Sequence, residues 1–204
     1  MKILPCVQLS DEWFRLKRGR PSASCFGDII TPKKAELAAA HRTYIAQLIA
    51  DLYDPLYPRD GFVSKDMQEG IDREPESRRW FASQVEEDIT QVGLVESDCG
   101  RFVCSPDGLV GHDGVLELKN PIPKIHVGYL LGSGGVPDEY KAQCHGHLVV
   151  TGRSYCQFVS YCPPLPAYSF RLVADQFTEA LRGCLDKFWD NFQAALEKSK
   201  GASL

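Results

Sequence analysis

No run in this chain of 204 residues is long enough to cross a bilayer. The longest uncharged apolar stretch, around residues 148–151, falls far short of the roughly 20 residues a helical span needs. The opening Met-Lys-Ile-Leu-Pro lacks the apolar core of a secretory signal, so a cytoplasmic location with no membrane partner is expected. None of the eight cysteines (Cys6, Cys25, Cys99, Cys104, Cys144, Cys156, Cys162 and Cys184) stands in a C-x₂-C pair. That argues against a zinc ribbon, and without a secretory signal the thiols are expected reduced and mostly in the core. Cys144 close to His145 and His147 is read the same way, against a metal or nucleophile site. There is no basic excess either. With 23 Lys and Arg against 27 Asp and Glu the net charge is −4, which excludes a simple basic DNA coat but not a local basic patch. Arg15, Lys17, Arg18 and Arg20 supply such a patch. No internal repeat and no composition break divides the chain, so one domain over 1–204 is expected.

What is present centres on residues 102–121, FVCSPDGLVGHDGVLELKNP. They read as a β-hairpin: a short strand at 102–104, a turn at 105–108, strand again at 109–110, an Asp-Gly turn at 113–114, and a strand at 115–119. Strict alternation puts Val115, Glu117 and Lys119 on one face and Leu116 and Leu118 on the other. A buried carboxylate or ammonium is costly alone, so the pair requires a partner or a metal ion. Asp107 lies ten residues before Glu117, within reach of a hairpin fold-back. Two carboxylates and a lysine converging at a sheet end suit a metal-dependent phosphodiesterase. Hard divalent cations take oxygen ligands, and a bound metal acidifies its water and stabilises phosphoryl charge. The order Pro106-Asp107 then Glu117-Leu118-Lys119 matches the PD-(D/E)XK nuclease signature. From these residues alone a second reading stands, a surface hairpin with a solvated Glu117–Lys119 pair contributing about 0–1 kcal/mol.

Four motifs in order give the chain a resemblance to the lambda-type phage exonucleases, the YqaJ-like viral recombinases. They are Trp13 with Lys17-Arg18-Gly19 and Ser22-Ala23-Ser24; Gly70 with Glu74 and Arg78; CSPDGL (104–109) followed by LELKNP (116–121); and Tyr140 with Gln143 and the apolar run to Tyr161. Beyond about residue 175 no motif matches. The resemblance implies an α/β fold with a PD-(D/E)XK nuclease-like core, a central mixed, mostly antiparallel sheet flanked by helices. It implies Mg²⁺-dependent exonuclease action on one strand of duplex DNA, 5′ to 3′ from double-strand ends, in phage recombination inside a bacterial host cell. Two Mg²⁺ ions per site, with Mn²⁺ able to substitute, a homotrimeric ring and a phage single-strand annealing protein as partner are likewise implied. Residue by residue, it makes Asp107, Glu117 and the Leu118 carbonyl metal ligands and gives Glu74 to the second metal or its water. Lys119 orients and activates the attacking water, Gln143 helps hold that water or Lys119, and Tyr140 supports them. Ser22, Ser24 and Ser105 with Lys17 or Arg18 resemble the 5′-phosphate pocket. Where the family has an arginine this chain has Lys17 followed by Arg18, and lysine lacks the bidentate fork. Two alternatives are a non-catalytic DNA-end-binding scaffold and a site-specific endonuclease, but no recognition helix stands out for the latter.

Periodicity predicts a helix over 8–17 capped by Ser10, and a short helix opened by Ser22 and Ser24. The hydroxyls and free N–H groups of that second helix would suit a phosphate. It also predicts a long helix over 33–53 including Leu37, a loop over 54–64, and a helix over 64–90 interrupted near Pro75. Paired strands at 92–96 and 99–104 follow. Next come a loop over 122–137 lying across substrate, a helix over 138–151, and strands at 154–161 and 168–173. A last helix over 175–198 puts Phe177, Leu181, Leu185, Phe188 and Phe192 on one stripe.

Overall fold

A computed structural model describes residues 1–54 and 65–201. The predicted loop over 54–64 lies, after its first residue, outside the described residues. The chain folds as mixed α/β, with two sheets and helices packed around them. Strands β1 (Lys2–Leu4), β3 (Leu94–Glu96) and β4 (Val103–Cys104) form a three-stranded antiparallel sheet in the order β1-β3-β4. Strands β2 (Ile89–Thr90), β5 (Gly108–Val110), β6 (Gly114–Lys119), β7 (Tyr155–Ser160) and β8 (Tyr168–Val173) form a five-stranded sheet in that order. The β6–β7 pair is parallel and its neighbours are antiparallel. The expected mixed, mostly antiparallel sheet is therefore present, divided into two.

The predicted hairpin is half right. Strands β5 and β6 pair across the turn, with Gly108 opposite Leu116 and Val110 opposite Gly114. The strand at 103–104 does not join them. It pairs with β3 and, through Val103, with the Pro21–Ser22 backbone, so residues 105–107 cross from one sheet to the other. The alternation of β6 is as predicted. Leu116 and Leu118 pack with Phe81, Val110 and Val159 under α3 (Lys65–Ala82), whereas Glu117 and Lys119 face α5 (Asp138–Thr151). A parallel pair needs a crossover, here supplied by α4 (Pro123–Leu130) and α5.

Three helix boundaries are corrected. Helix α2 (His41–Tyr53) starts eight residues later than predicted. The Thr31 hydroxyl bonds both the carbonyl and the N–H of Glu36, and Ile30 bridges to Leu37, so a closed turn replaces the first helical turns. Helix α3 runs through Pro75 but ends at Ala82, where Ser83 turns its hydroxyl onto the Trp80 carbonyl, and residues 89–90 are strand, not helix. The predicted loop over 122–137 contains α4, begun by Pro123 at a position where its missing N–H costs nothing. Helix α1 (Asp11–Lys17) is capped as read, with the Ser10 hydroxyl accepting from the Trp13 N–H. Helix α6 (Gln176–Gly201) buries the whole predicted stripe from Phe177 to Phe192 against α2, α5 and the 3-10 turn Ala23–Asp28. No helix among the described residues is long and apolar enough to cross a membrane.

Helix α5 sits close over that 3-10 turn. A Cβ on Gly146 would stand 2.6 Å from Phe26 Cδ2 and 3.1 Å from Ala23 Cβ, and both neighbours are fully buried. Gly146→Val should therefore lose about 1–3 kcal/mol or more to overpacking. Urea denaturation measures it, and an unchanged midpoint would contradict this packing.

Candidate active site

Glu117 is 2% exposed near the end of β6, in the middle of the five-stranded sheet. Three donors meet its carboxylate. Lys119 Nζ and Gln143 Nε2 each lie 2.6 Å from Oε1, and His147 Nε2 lies 2.7 Å from Oε2. Burial alone would raise this carboxyl, but the Lys119 ammonium and the His147 ring outweigh it and hold Glu117 down at about 2. The residue is thus an ionised, accept-only group. Burying such a charge costs several kcal/mol. Three charge-assisted bonds of about 1.5–3 kcal/mol each offset a cost of that size, and two leave little margin.

Asp107 reaches the same place from the crossing segment. Its Oδ2 accepts the Leu118 N–H at 2.5 Å, and its own N–H donates to the Leu116 carbonyl at 3.0 Å, which locks the carboxylate beside β6. Burial, then the carboxylates of Glu117 and Glu74, push Asp107 up to about 8, against the opposing pull of Lys119 and the Leu118 N–H. Glu74 on α3 pairs with Arg78 one turn on, and Arg78 Nε donates to the Asp107 carbonyl at 3.0 Å. Asn120 clamps the same helix one turn earlier, donating to the Gly70 carbonyl at 3.0 Å. Gly70, Glu74 and Arg78 therefore line the face of α3 that abuts the site.

Lys119 lies over the Tyr140 ring, 4.7 Å from its centroid. Burial would lower its pKa, but Glu117 and Asp107 keep it raised, so it is an ammonium at neutral pH. Glu117 and Glu74 each push against the Asp107 carboxyl, a repulsion between hard oxygen donors that a divalent cation would relieve. Among the described residues no three acidic, His or Cys side chains form a ready-made ion cage.

The phosphate candidates form a second neighbourhood, joined to the first through Ser105, two residues before Asp107. The Trp13 indole N–H donates to Ser105 Oγ at 2.7 Å and to the Gly93 carbonyl at 3.1 Å. Lys17 Nζ sits 4.4 Å over the same ring. Together with Trp13, Arg20, Tyr44 and the carboxylates Asp28 and Asp51, Lys17 lines a cleft of about 220 Å³. Arg18 is the C-cap of α1. Of the predicted basic patch, Arg15 pairs with Glu12 and Arg20 with Glu96. Ser24 is exposed, with its Oγ 3.3 Å from that of Ser22. The expectation for Ser22 is corrected. It is 2% exposed, its N–H donates to the Tyr44 hydroxyl, and its side chain caps nothing, so it offers no free helix-start N–H. The helix it precedes is a 3-10 turn of six residues.

His147 is the contact that the sequence reading missed. The signal was spacing: Tyr140, Gln143 and His147 fall three and four apart on α5 and so share one face. Its neighbours do not join it. His145 Nδ1 meets Thr178 Oγ1 at 2.8 Å and its ring packs on Phe177, while Cys144 is core with Leu148, Cys156 and Phe158.

The model of the YqaJ-like viral recombinase domain matches residues 12–154. Two solved structures of an alkaline exonuclease from Laribacter hongkongensis, one of them in complex with dAMP, are similar. Each has a TM-score of 0.76 over 95% of this chain and 100% of that one, at 28% and 27% identity. A phage-related exonuclease from Haemophilus somnus 129PT shares the fold, with a TM-score of 0.63 at 11% identity over 90% of this chain and 99% of that one. No curated protein matches.

The raised Asp107 sets a pH dependence. A carboxyl whose folded pKa lies above its unfolded value contributes stability that is full below the unfolded pKa and is lost as pH rises through the folded one. The window here is roughly pH 4 to 8. Glu117 is shifted the other way and acts only as pH falls below its ordinary range. In EDTA, the stability of wild type minus that of Asp107→Asn should fall by about 1 kcal/mol or more between pH 5 and pH 8. Urea midpoints across that range measure it, and a difference rising with pH would contradict the environment described for Asp107.

Proposed function

Since the chain belongs to the YqaJ-like viral recombinase family, we propose that it is a DNA exonuclease of recombination. In this reading it hydrolyses one strand of duplex DNA from a double-strand end, 5′ to 3′, with Mg²⁺. The observation that carries the reading is the meeting of Asp107, Glu117 and Lys119 at one end of the sheet, with Gln143 laid onto Glu117 from α5. The alkaline exonuclease seen with dAMP, 27% identical over nearly the whole chain, supports it.

Asp107 and Glu117, with the Leu118 carbonyl and Glu74, would hold the Mg²⁺ ions, two per site, with Mn²⁺ as a substitute. Once bound, the metal lowers the pKa of the attacking water and neutralises charge on the phosphoryl oxygens. Lys119, kept protonated by its two carboxylates, orients that water and meets phosphate charge as a cation rather than taking a proton as a base. Tyr140 supports the ammonium from below, and Gln143 fixes the edge of Glu117 that Lys119 also uses. Lys17, over the Trp13 ring whose N–H holds Ser105, fits the 5′-phosphate better than Arg18 at the end of its helix. Ser24 and Ser105 supply hydroxyls, and buried Ser22 holds Ser24 in place. A homotrimeric ring around duplex DNA and a phage single-strand annealing protein as partner complete the proposal.

With Mg²⁺, linear duplex should be degraded and covalently closed circular duplex left intact. Cutting of both would make the protein an endonuclease, and cutting of neither a binding scaffold. Lys119→Ala should slow degradation by about a hundredfold or more while DNA binding persists, and near-wild-type turnover would remove Lys119 from the mechanism. Charge-assisted bonds of about 1.5–3 kcal/mol each make a 5′-phosphate end initiate about tenfold or more faster than a 5′-hydroxyl end. Lys17→Ala should erase that preference and Arg18→Ala should keep it, as read from initiation rates on the two kinds of end. The reverse pattern would move the phosphate contact to Arg18.

A further inference from the structure

We propose that His147 is a positioning residue of this site. By donating from Nε2 it commits Oε2 of Glu117 to the protein interior, so that the carboxylate presents Oε1 toward cation and substrate. This rests on the nuclease reading above and adds a residue which that reading does not contain.

The two edges of the carboxylate face different surroundings. Oε1 is met by Gln143 and by Lys119, whose side chain is a quarter exposed. Oε2 is met by His147, and both of those side chains are buried. Because an ionised carboxylate only accepts, the hydrogen of this bond sits on Nε2. The ring's other nitrogen, Nδ1, is buried with no hydrogen-bond partner among the described residues. Leaving a buried polar atom unpaired costs about 1–3 kcal/mol. A histidine kept only for packing would not need to aim one nitrogen at the acid and leave the other unpaired.

The other buried histidines are hydrogen-bonded to neutral oxygens: His126 through both nitrogens, on the Ser160 hydroxyl at 2.7 Å and the Pro166 carbonyl at 2.9 Å, His145 on the Thr178 hydroxyl and His41 on the Ala38 carbonyl. The backbone under His147 is also held. Its carbonyl accepts from the Thr151 hydroxyl at 2.7 Å, one turn on, and Gly146 beside it lets α5 settle against Phe26. The ring is thus fixed from below and the carboxylate is fixed by the ring. Partners of this outer kind orient ligands and tune cation affinity.

The test uses stereochemistry. A glutamine amide places its NH₂ near where histidine has Nε2, whereas an asparagine amide places it near Nδ1. In the purified full chain, His147→Asn should weaken Ca²⁺ binding, measured by calorimetry without DNA, by about ten- to hundredfold. It should lower kcat on linear duplex with Mg²⁺ by a similar factor, at unchanged KM for ends. His147→Gln should restore most of both. If asparagine serves as well as glutamine, or if neither alters Ca²⁺ affinity, the proposal fails. Nitrogen NMR of the metal-free wild type gives a readout that needs no variant to fold: His147 must carry its hydrogen on Nε2, and an Nδ1-only tautomer overturns the proposal. A wild type that neither binds Ca²⁺ nor degrades linear duplex would instead remove the nuclease reading, and this role with it.

Discussion

A carboxylate that is 2% exposed inside a sheet has to be matched by donors, and the surroundings of Glu117 are built to meet that demand. One donor, Lys119, lies two residues along the same strand. The other two come from α5, and the chain can bring α5 there because β6 and β7 run parallel. The crossover that a parallel pair requires carries the helix across the face where Glu117 points. Asp107 arrives by a separate path, on the segment that leaves the smaller sheet for the larger one. Its carboxylate is tied to the backbone N–H next to Glu117. Sheet topology and candidate chemistry are therefore one arrangement.

The parts of this arrangement that depend on short-range pattern were legible in the sequence. Alternation along residues 115–119 put Glu117 and Lys119 on one face, and the aromatic and leucine stripe of α6 predicted its buried side. The fold-back of the hairpin brought Asp107 toward Glu117, and the family motif pointed to Glu74, Tyr140 and Gln143. What was not legible depended on partners distant in sequence. His147 looked like a neighbour of Cys144 and His145. Its role depends on Glu117, 30 residues earlier, and on which way α5 faces. Ser22 stands at the cap position of the 3-10 turn, but its hydroxyl lies against that of Ser24 and accepts no N–H from the turn. The start of α2 was misplaced because the Thr31 side chain competes with the helix for Glu36, a local bond that periodicity does not register. Strand 103–104 pairs with 94–96, as the expected pairing of 92–96 with 99–104 required, but it does not continue into the hairpin, because its other edge is held by Pro21 and Ser22.

The two neighbourhoods of the site are coupled through few atoms. The Trp13 indole N–H holds Ser105, the Lys17 ammonium lies on the same ring, and two residues later the chain becomes Asp107. On the other side, Arg78 and Asn120 tie α3, and with it Glu74, to the backbone at Asp107 and at the end of β6. A net charge of −4 is no obstacle to a DNA-handling site of this kind. A bound cation would reverse the local sign of Glu74, Asp107 and Glu117, while Lys17 shares its own cleft with Asp28 and Asp51.

The crossover also governs which changes of chain length the protein can absorb. Residues 131–137, between α4 and α5, hold Gly132, Gly134 and Gly135 outside any helix. Lengthening that segment leaves the residues of α5 in phase with one another, so drift in length between related chains should collect there. An extra residue within α5 between Tyr140 and His147 is another matter. It would rotate everything after it by about 100° around the helix axis, carrying the imidazole away from the carboxylate while leaving the hydrophobic count of the helix unchanged. Such a chain could keep its composition and its helix and still leave Oε2 of Glu117 without its donor.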